Sequence, residues 1–341
     1  MKTFSQIKGQ KRAIQFLKRV IASGKIPHAY LFTGIPGVGK TSTALAFAQA
    51  LNCQAPFNEE GCGECRACKQ IMHNNFSDLI HIKPDDQNIK IEQIRNLNRN
   101  LCFKPVSGRY RVSIIHQAET MTEEAANAFL KTLEEPPPGN VLILKVIEPL
   151  DLLETIVSRC QKIPFRPLMV PNIQEILINE AHIEEENALI LANISEGSVG
   201  YAIEMWENDF LHQREEAISR LIQLASIPVV DALDMALEYT SKAKKADTIG
   251  KRSRFLFDLI GLWKTWFRDL IAVNLGGTDT LLNFDYSRTI KKTACHFHVD
   301  SLIRGFFMLD QAQKDLRGTR NLDLLMENLV LNLNKISKAV S

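Results

Sequence analysis

The sequence lacks an excess of charge of either sign: 41 lysines and arginines face 39 aspartates and glutamates in 341 residues, a formal net charge of +2. No global basic field marks a nucleic-acid binder, so any such contact must come from a local patch. An apolar N-terminal core of the secretory kind is missing, because "MKTFSQIKGQKRAIQFLKRV" is charged and amphipathic. No uninterrupted apolar run of membrane length occurs either. The most apolar later stretch, "FLFDLIGLWKTWFRDLIAVNL", carries Asp258, Lys264, Arg268 and Asp269, and four charges in lipid are costly. A cytoplasmic protein without membrane contact is the expectation. Internal repeats and low-complexity tracts are absent too. What is there is an ordinary globular composition, 45% hydrophobic and 23% charged, in a chain long enough for two or three domains.

The first half alternates strand and helix. "AYLFT" (29–33), "DLIHI" (78–82), "RVSIIH" (111–116), "VLILKVI" (141–147) and "QKIPF" (161–165) are short apolar runs. The middle ones are continuously apolar, as strands covered on both faces are. Helical segments such as "TSTALAFAQAL" and "EEAANAFLKTLEE" lie between them, the latter stopped by Pro136, Pro137 and Pro138. This alternation predicts an α/β core with a doubly wound, mainly parallel sheet over 1–165. After about residue 166 the strand pattern stops. A small group of helices with a turn at Gly197 is expected over 166–207, and an all-α region over 208–341. In its last helix Leu322, Leu325, Met326, Leu329, Val330, Leu333 and Ile336 step by three and four, giving one apolar stripe.

Gly34-x4-Gly39-Lys40-Thr41 matches the phosphate-loop pattern in full, with a strand before it and a helix after it. Glycines let backbone N–H groups converge on phosphate oxygens, and the helix N-terminus adds positive potential. Gly34, Gly37, Gly39, Lys40, Thr41 and Ser42 are the candidate nucleotide-binding residues. Lys40 would reach the terminal phosphates and Thr41 would offer its hydroxyl to Mg2+. Whether the occupant is ATP, ADP or nothing stays open. Hydrolases of this class end a later strand in acids that hold magnesium and activate water; here stand His116 and Gln117. A neutral Gln cannot take a proton, and losing a general base costs about 10²–10⁴ in rate. His116 reads as a structural residue closing its strand. Glu119 follows two residues on, in a direction the sequence leaves open.

Seven cysteines are present, four of them in Cys53-x8-Cys62-x2-Cys65-x2-Cys68. In a cytoplasmic chain such a cluster points to metal or redox chemistry before disulfides. Thiolates at this density suit tetrahedral zinc, and four ligands imply a closed, structural site in an insert at about 53–68. The rival reading is redox, on "CGEC" and "CRAC"; His73 is near enough to replace one ligand. Cys102, Cys160 and Cys295 are scattered and read as small buried residues.

These motifs, in this order, resemble the bacterial clamp-loader subunits of DNA polymerase III, members of the AAA+ superfamily. The resemblance rests on "IKGQ" (7–10), "IPHAYLFTGIPGVGKTS" (26–42), the cysteine cluster, "NAFLKTLEEPP" (127–137) and "SRC" (158–160), with a weaker match at "NLDLLMENLVL". It implies an AAA+ core (1–165), a helical lid (166–207) and a helical collar (208–341) that joins a hetero-pentameric ring with gamma/tau and delta subunits. Such a ring loads the sliding clamp onto primed DNA. Motor members of the family carry an Asp-Glu strand end, a polar residue on the next strand and a lid arginine. This chain has His116 and Gln117, Val146 and Ile147, and Gly200 at those places. The combination is similar to the delta-prime branch, the stationary members of the ring. Arg159 matches the family's arginine finger, which enters the ATP site of a neighbour; from residue type alone it reads equally as a surface or salt-bridged arginine. An ATP-hydrolysing gamma/tau-type motor is the alternative, and a zinc-containing phosphate-loop kinase a more distant one.

Overall fold

The five apolar runs form five strands: β1 (Ala29–Thr33), β2 (Leu79–Ile82), β3 (Arg111–Ile115), β4 (Asn140–Val146) and β5 (Gln161–Pro164). The computed structural model describes residues 3–244, 249–277, 281–316 and 321–338. The strands pair in the order β2-β3-β4-β1-β5, and every pairing is parallel. Parallel neighbours need crossover connections, which here are helical and cover the sheet. Burial follows: all of β3 is buried, and β4 is buried at every position except Lys145.

Helices α1 (Lys11–Ser23), α2 (Lys40–Asn52), α3 (Arg66–Met72), α4 (Ile91–Leu101), α5 (Glu123–Glu134) and α6 (Glu154–Ser158) precede or connect the strands. The α5 helix starts where the Thr122 hydroxyl accepts the N–H of Ala125 at 3.3 Å and ends before the three prolines, whose rings cannot continue it. Its Phe129 packs with Leu31, Leu97, Ile115, Leu144 and Ile156 in one apolar core. Three further helices follow, α7 (Val170–Ala181), α8 (Glu185–Ile194) and α9 (Val199–Glu207), with the expected turn at Gly197 between the last two.

The chain divides into two compact units, Met1–Ala188 with Ser195–Ile203 and Leu189–Ile194 with Glu204–Ser341. The helical segment 166–207 is thus shared between them. The second unit is built of helices: α10 (Phe210–Gln223), α11 (Val229–Lys244), α12 (Ile249–Asn274), α13 (Ser287–Ala294), α14 (Val299–Asp315) and α15 (Leu322–Lys338). Trp263 of α12 is fully buried and donates to the Ala217 carbonyl of α10 at 3.1 Å. Along α15, Met326, Leu329, Val330 and Leu333 are buried, the middle of the expected stripe. Within the unit Asp269 accepts the N–H groups of Leu282 (3.1 Å) and Asn283 (2.7 Å), Arg268 pairs with Asp269, and Lys264 pairs with Asp310. Among the described residues no helix is long and apolar enough to cross a membrane.

Two cysteine expectations fail. Cys160 is buried, but Cys102 and Cys295 are exposed. Both cap helix ends, where Cys102 donates to the Asn98 carbonyl (3.3 Å) and Cys295 to that of Lys292 (3.1 Å). A position at a helix end decided their exposure, against the usual preference of the residue type.

Candidate functional site

The segment between Thr33 and Lys40 leaves the C-terminal edge of β1 beside β4, the edge at which parallel α/β sheets bind ligands. Gln10 holds this loop to the exit of β5: its Nε2 donates to the carbonyls of Val38 (3.1 Å) and Arg166 (2.7 Å), and the Arg166 N–H returns a bond of 3.2 Å. On the opposite side the start of α9 rests on the loop. Gly200 N–H donates to the Gly37 carbonyl at 3.1 Å, and the Ser198 hydroxyl donates to the Pro36 carbonyl at 2.9 Å. Gly37 has φ +77°, and a Cβ there would lie 2.9 Å from Gly200 N; one on Gly200 would lie 2.8 Å from Gly37 Cα. Position 200 is closed by backbone packing.

A cavity of about 700 Å³ opens beside the loop, within the usual range for small-molecule sites. Gly37, Gly39, Lys40, Thr41 and Ser42 line it together with His116, Gln117, Val146, Ile147 and Gly200. The predicted positions are therefore gathered in one place. Gly34 sits behind them, its N–H donating to the Ile147 carbonyl at 2.9 Å. Lys40 Nζ donates to the carbonyls of Gly34 and Ile35, the latter at 3.0 Å. Glu119 also lines the cavity. Burial, reinforced by Asp151, raises its pKa, against the pull of Lys40 and Lys145.

The residue sequence reasoning missed is Lys145. From β4 its ammonium donates to Thr41 Oγ1 at 2.5 Å and to His116 Nδ1 at 2.8 Å. With Nδ1 accepting, His116 carries its proton on Nε2 and donates it to His81 Nδ1 at 2.9 Å. Burial first, then Lys145, His81 and Lys83, push the His116 pKa down to about 3, so the imidazole is neutral. His116 thus has partners on both ring nitrogens. Burial lowers Lys40 to about 8, with Glu119 opposing. Burial, then Lys40 and Lys83, lower Lys145 to about 8 as well. The clue in the sequence was one lysine inside "VLILKVI", a charge the strand pattern does not explain.

The four cysteines of the insert converge: their sulfurs all lie within 4.8 Å of one another. Cys53 and Cys65 sulfurs are 4.0 Å apart, close to the separation of about 3.8 Å that tetrahedral zinc with 2.3 Å bonds imposes. All four are free thiols. Backbone N–H groups point at the sulfurs, Cys62 N–H at Cys53 (3.2 Å), Cys65 N–H at Cys62 (3.3 Å) and Cys68 N–H at Cys65 (3.5 Å). The N–H groups of Cys65 and Glu64 bring Cys62 down to about 6. Burial raises Cys53 and Cys68, an opposition that a bound cation reverses. The donor set and spacing fit a metal ion. His73 caps α3 at the surface, outside the cluster.

Arg159 ends α6 and does not line the cavity. Its guanidinium donates to Glu134 Oε1 at 2.7 Å and to the Thr155 carbonyl at 3.0 Å, with about a third of the side chain exposed (36%).

The family described as "DNA polymerase III, delta subunit" matches residues 9–169. The Escherichia coli DNA polymerase III subunit tau is 38% identical over 208 residues, covering 60% of this chain and 32% of that one. Among solved structures, a DNA polymerase III gamma subunit-related protein from Thermotoga maritima superposes with a TM-score of 0.51 at 19% identity, over 95% of this chain and 99% of that one; this likeness carries the AAA+ fold. The Bacillus subtilis DNA polymerase III subunit delta′ is 31% identical over 326 residues, 96% of each chain. With that identity along nearly its whole length, the chain belongs to the family of DNA polymerase III delta′ subunits.

Proposed function

We propose that this chain is the stationary, non-hydrolysing subunit of a clamp loader, organised as core (1–165), lid (166–207) and collar (208–341). It assembles with gamma/tau and delta subunits in a hetero-pentameric ring that places a sliding clamp on primed DNA. The observation that carries this reading is the Lys145–His116 pair beside Thr41, where a motor needs carboxylates. Gln117 offers no base, Val146 and Ile147 no polar group toward a terminal phosphate, and Gly200 no cation. Glu119 remains as a carboxylate of the cavity, its pKa raised by burial, but it stands two residues past the strand-end position where a motor carries its acids.

The duty toward a neighbour falls to Arg159. It lies outside its own cavity, on the surface, in an exposed pair with Glu134 that a partner's phosphates can outcompete. A planar guanidinium set against a transferring phosphoryl group stabilises the charge that develops there. The insert holds one Zn2+ through Cys53, Cys62, Cys65 and Cys68, a closed ligand set without an open position for catalysis. Phosphate release by the isolated full chain tests the reading. Turnover indistinguishable from buffer is expected, and steady turnover at the rate of an AAA+ motor would assign the chain to the motors instead.

A further inference from the structure

We infer that the phosphate-loop cavity binds a nucleotide through its polyphosphate without magnesium, the Lys145 ammonium standing where the metal would. The inference rests on the reading of Gly34–Thr41 as a phosphate loop.

Magnesium in such loops is held by the loop Ser/Thr hydroxyl and by an acid on a later strand. Here both places are taken by one cation. Thr41 Oγ1 accepts from Lys145, and the strand end is a neutral His116 that accepts from the same ammonium. Magnesium demands six oxygen ligands at 2.0–2.1 Å; at this spot it would meet an ammonium and an imidazole. The residues present do not fit the ion.

They do fit an anion. An ammonium has three N–H donors; Lys145 spends two on Thr41 and His116, and Lys40 spends two on loop carbonyls. Each keeps one donor in a cavity that both line. Their charges oppose each other, and Lys83 on the same wall adds to the field. The lining acids are Asp86, Glu119 and Glu180. Asp86 is exposed, and Glu119 has its pKa raised by burial while Lys40 and Lys145 pull it down. Bound phosphate oxygens would answer both ammonium groups at once. The rest of the lining argues for more than inorganic phosphate: Ile7, Leu168, Ile176 and Ile203 form an apolar wall suited to a base and sugar. A cavity of about 700 Å³ exceeds what a bare phosphate chain needs.

The test is calorimetric titration of the full-length protein with ATP, once in excess Mg2+ and once in EDTA, and with inorganic tripolyphosphate in EDTA. The expected result is affinity in EDTA equal to or tighter than in Mg2+, at least tenfold weaker binding of tripolyphosphate, and at least tenfold weaker ATP binding by Lys145→Met. A melting curve checks that the variant is folded; the comparison on the unaltered protein stands without it. Affinity lost tenfold in EDTA would overturn the magnesium-free mode while leaving a phosphate site. Tripolyphosphate binding as tightly as ATP would overturn the nucleotide assignment, and a folded Lys145→Met with unaltered affinity the role of Lys145. No binding of ATP in either medium would overturn the site itself. None of these outcomes bears on Arg159, whose role is read from ring turnover.

Discussion

Two places in the first unit gather side chains of like chemistry, and they do so by opposite means. At the insert, four sulfurs converge under backbone N–H groups. Those dipoles favour thiolate without adding a cation that would compete with a metal. At the phosphate loop, Lys40 and Lys145 converge as full charges, each brought down to about 8 mainly by burial. The first place is prepared for its ligand by neutral groups. The second is prepared by charges that repel until a ligand arrives. A permanently held cation suits the former, and an exchangeable anion the latter.

The largest effect should come from breaking the insert. Structural zinc in small domains binds with about 10–16 kcal/mol. Cys65→Ser should abolish stoichiometric zinc in elemental analysis and raise amide exchange across 53–68. One zinc per chain retained in that variant would point to a ligand set that dispenses with Cys65. Next in size is Arg159, a charge outside both places. An arginine finger in trans contributes about 10³–10⁵ in rate, or roughly 4–7 kcal/mol of barrier at one site. Arg159→Ala should leave folding and ring assembly intact and lower DNA-dependent ATP turnover of the reconstituted loader by up to the share of the one site it serves. Full turnover with full clamp loading would leave Arg159 a salt-bridged surface residue.

The lysine pocket can be relaxed by pH. In the folded chain Lys40 and Lys145 titrate at about 8, against an ordinary 10.5, so between these values the unfolded chain binds more protons. Stability therefore rises with pH across that window. The gain is up to about 3 kcal/mol per lysine, less where solvent reaches it. Denaturant midpoints at pH 7.5 and 9.5 should show a smaller rise in Lys145→Met than in the unaltered chain. An equal rise would mean that Lys145 does not titrate below its ordinary value in the folded chain. The smallest effect is expected at Glu134: its exposed pair with Arg159 should be worth under about 1 kcal/mol. Glu134→Ala should shift the melting point little and should not reproduce the turnover loss of Arg159→Ala.

The insert was legible because its chemistry is local: four identical ligands within sixteen residues, from Cys53 to Cys68, leave little for tertiary structure to decide. The strands were legible for a related reason, since continuous apolar runs such as "RVSII" announce burial on both faces. The pocket was only half legible. Gly34 to Ser42 could be read directly, and so could the missing acids at His116 and Gln117. What replaced those acids could not. Lys145 meets Thr41 across 104 positions and His116 across 29, and only the β3-β4-β1 adjacency brings them together. Cys102 and Cys295 were misjudged because a cysteine, unlike a capping threonine or a proline, does not mark a helix end.

The contact between Gly37 and Gly200 has a consequence for how such a chain can change over generations. An arginine restored at position 200 would arrive with a Cβ only 2.8 Å from Gly37 Cα, so the phosphate loop would have to shift before the new side chain could reach anything. An acid restored at position 116 would meet Lys145 in place of a metal. Each change alone disturbs a packed or paired arrangement. Under the stationary role proposed above, an ATP-hydrolysing site would need substitutions at both places, and the Gly37–Gly200 packing opposes one of them sterically.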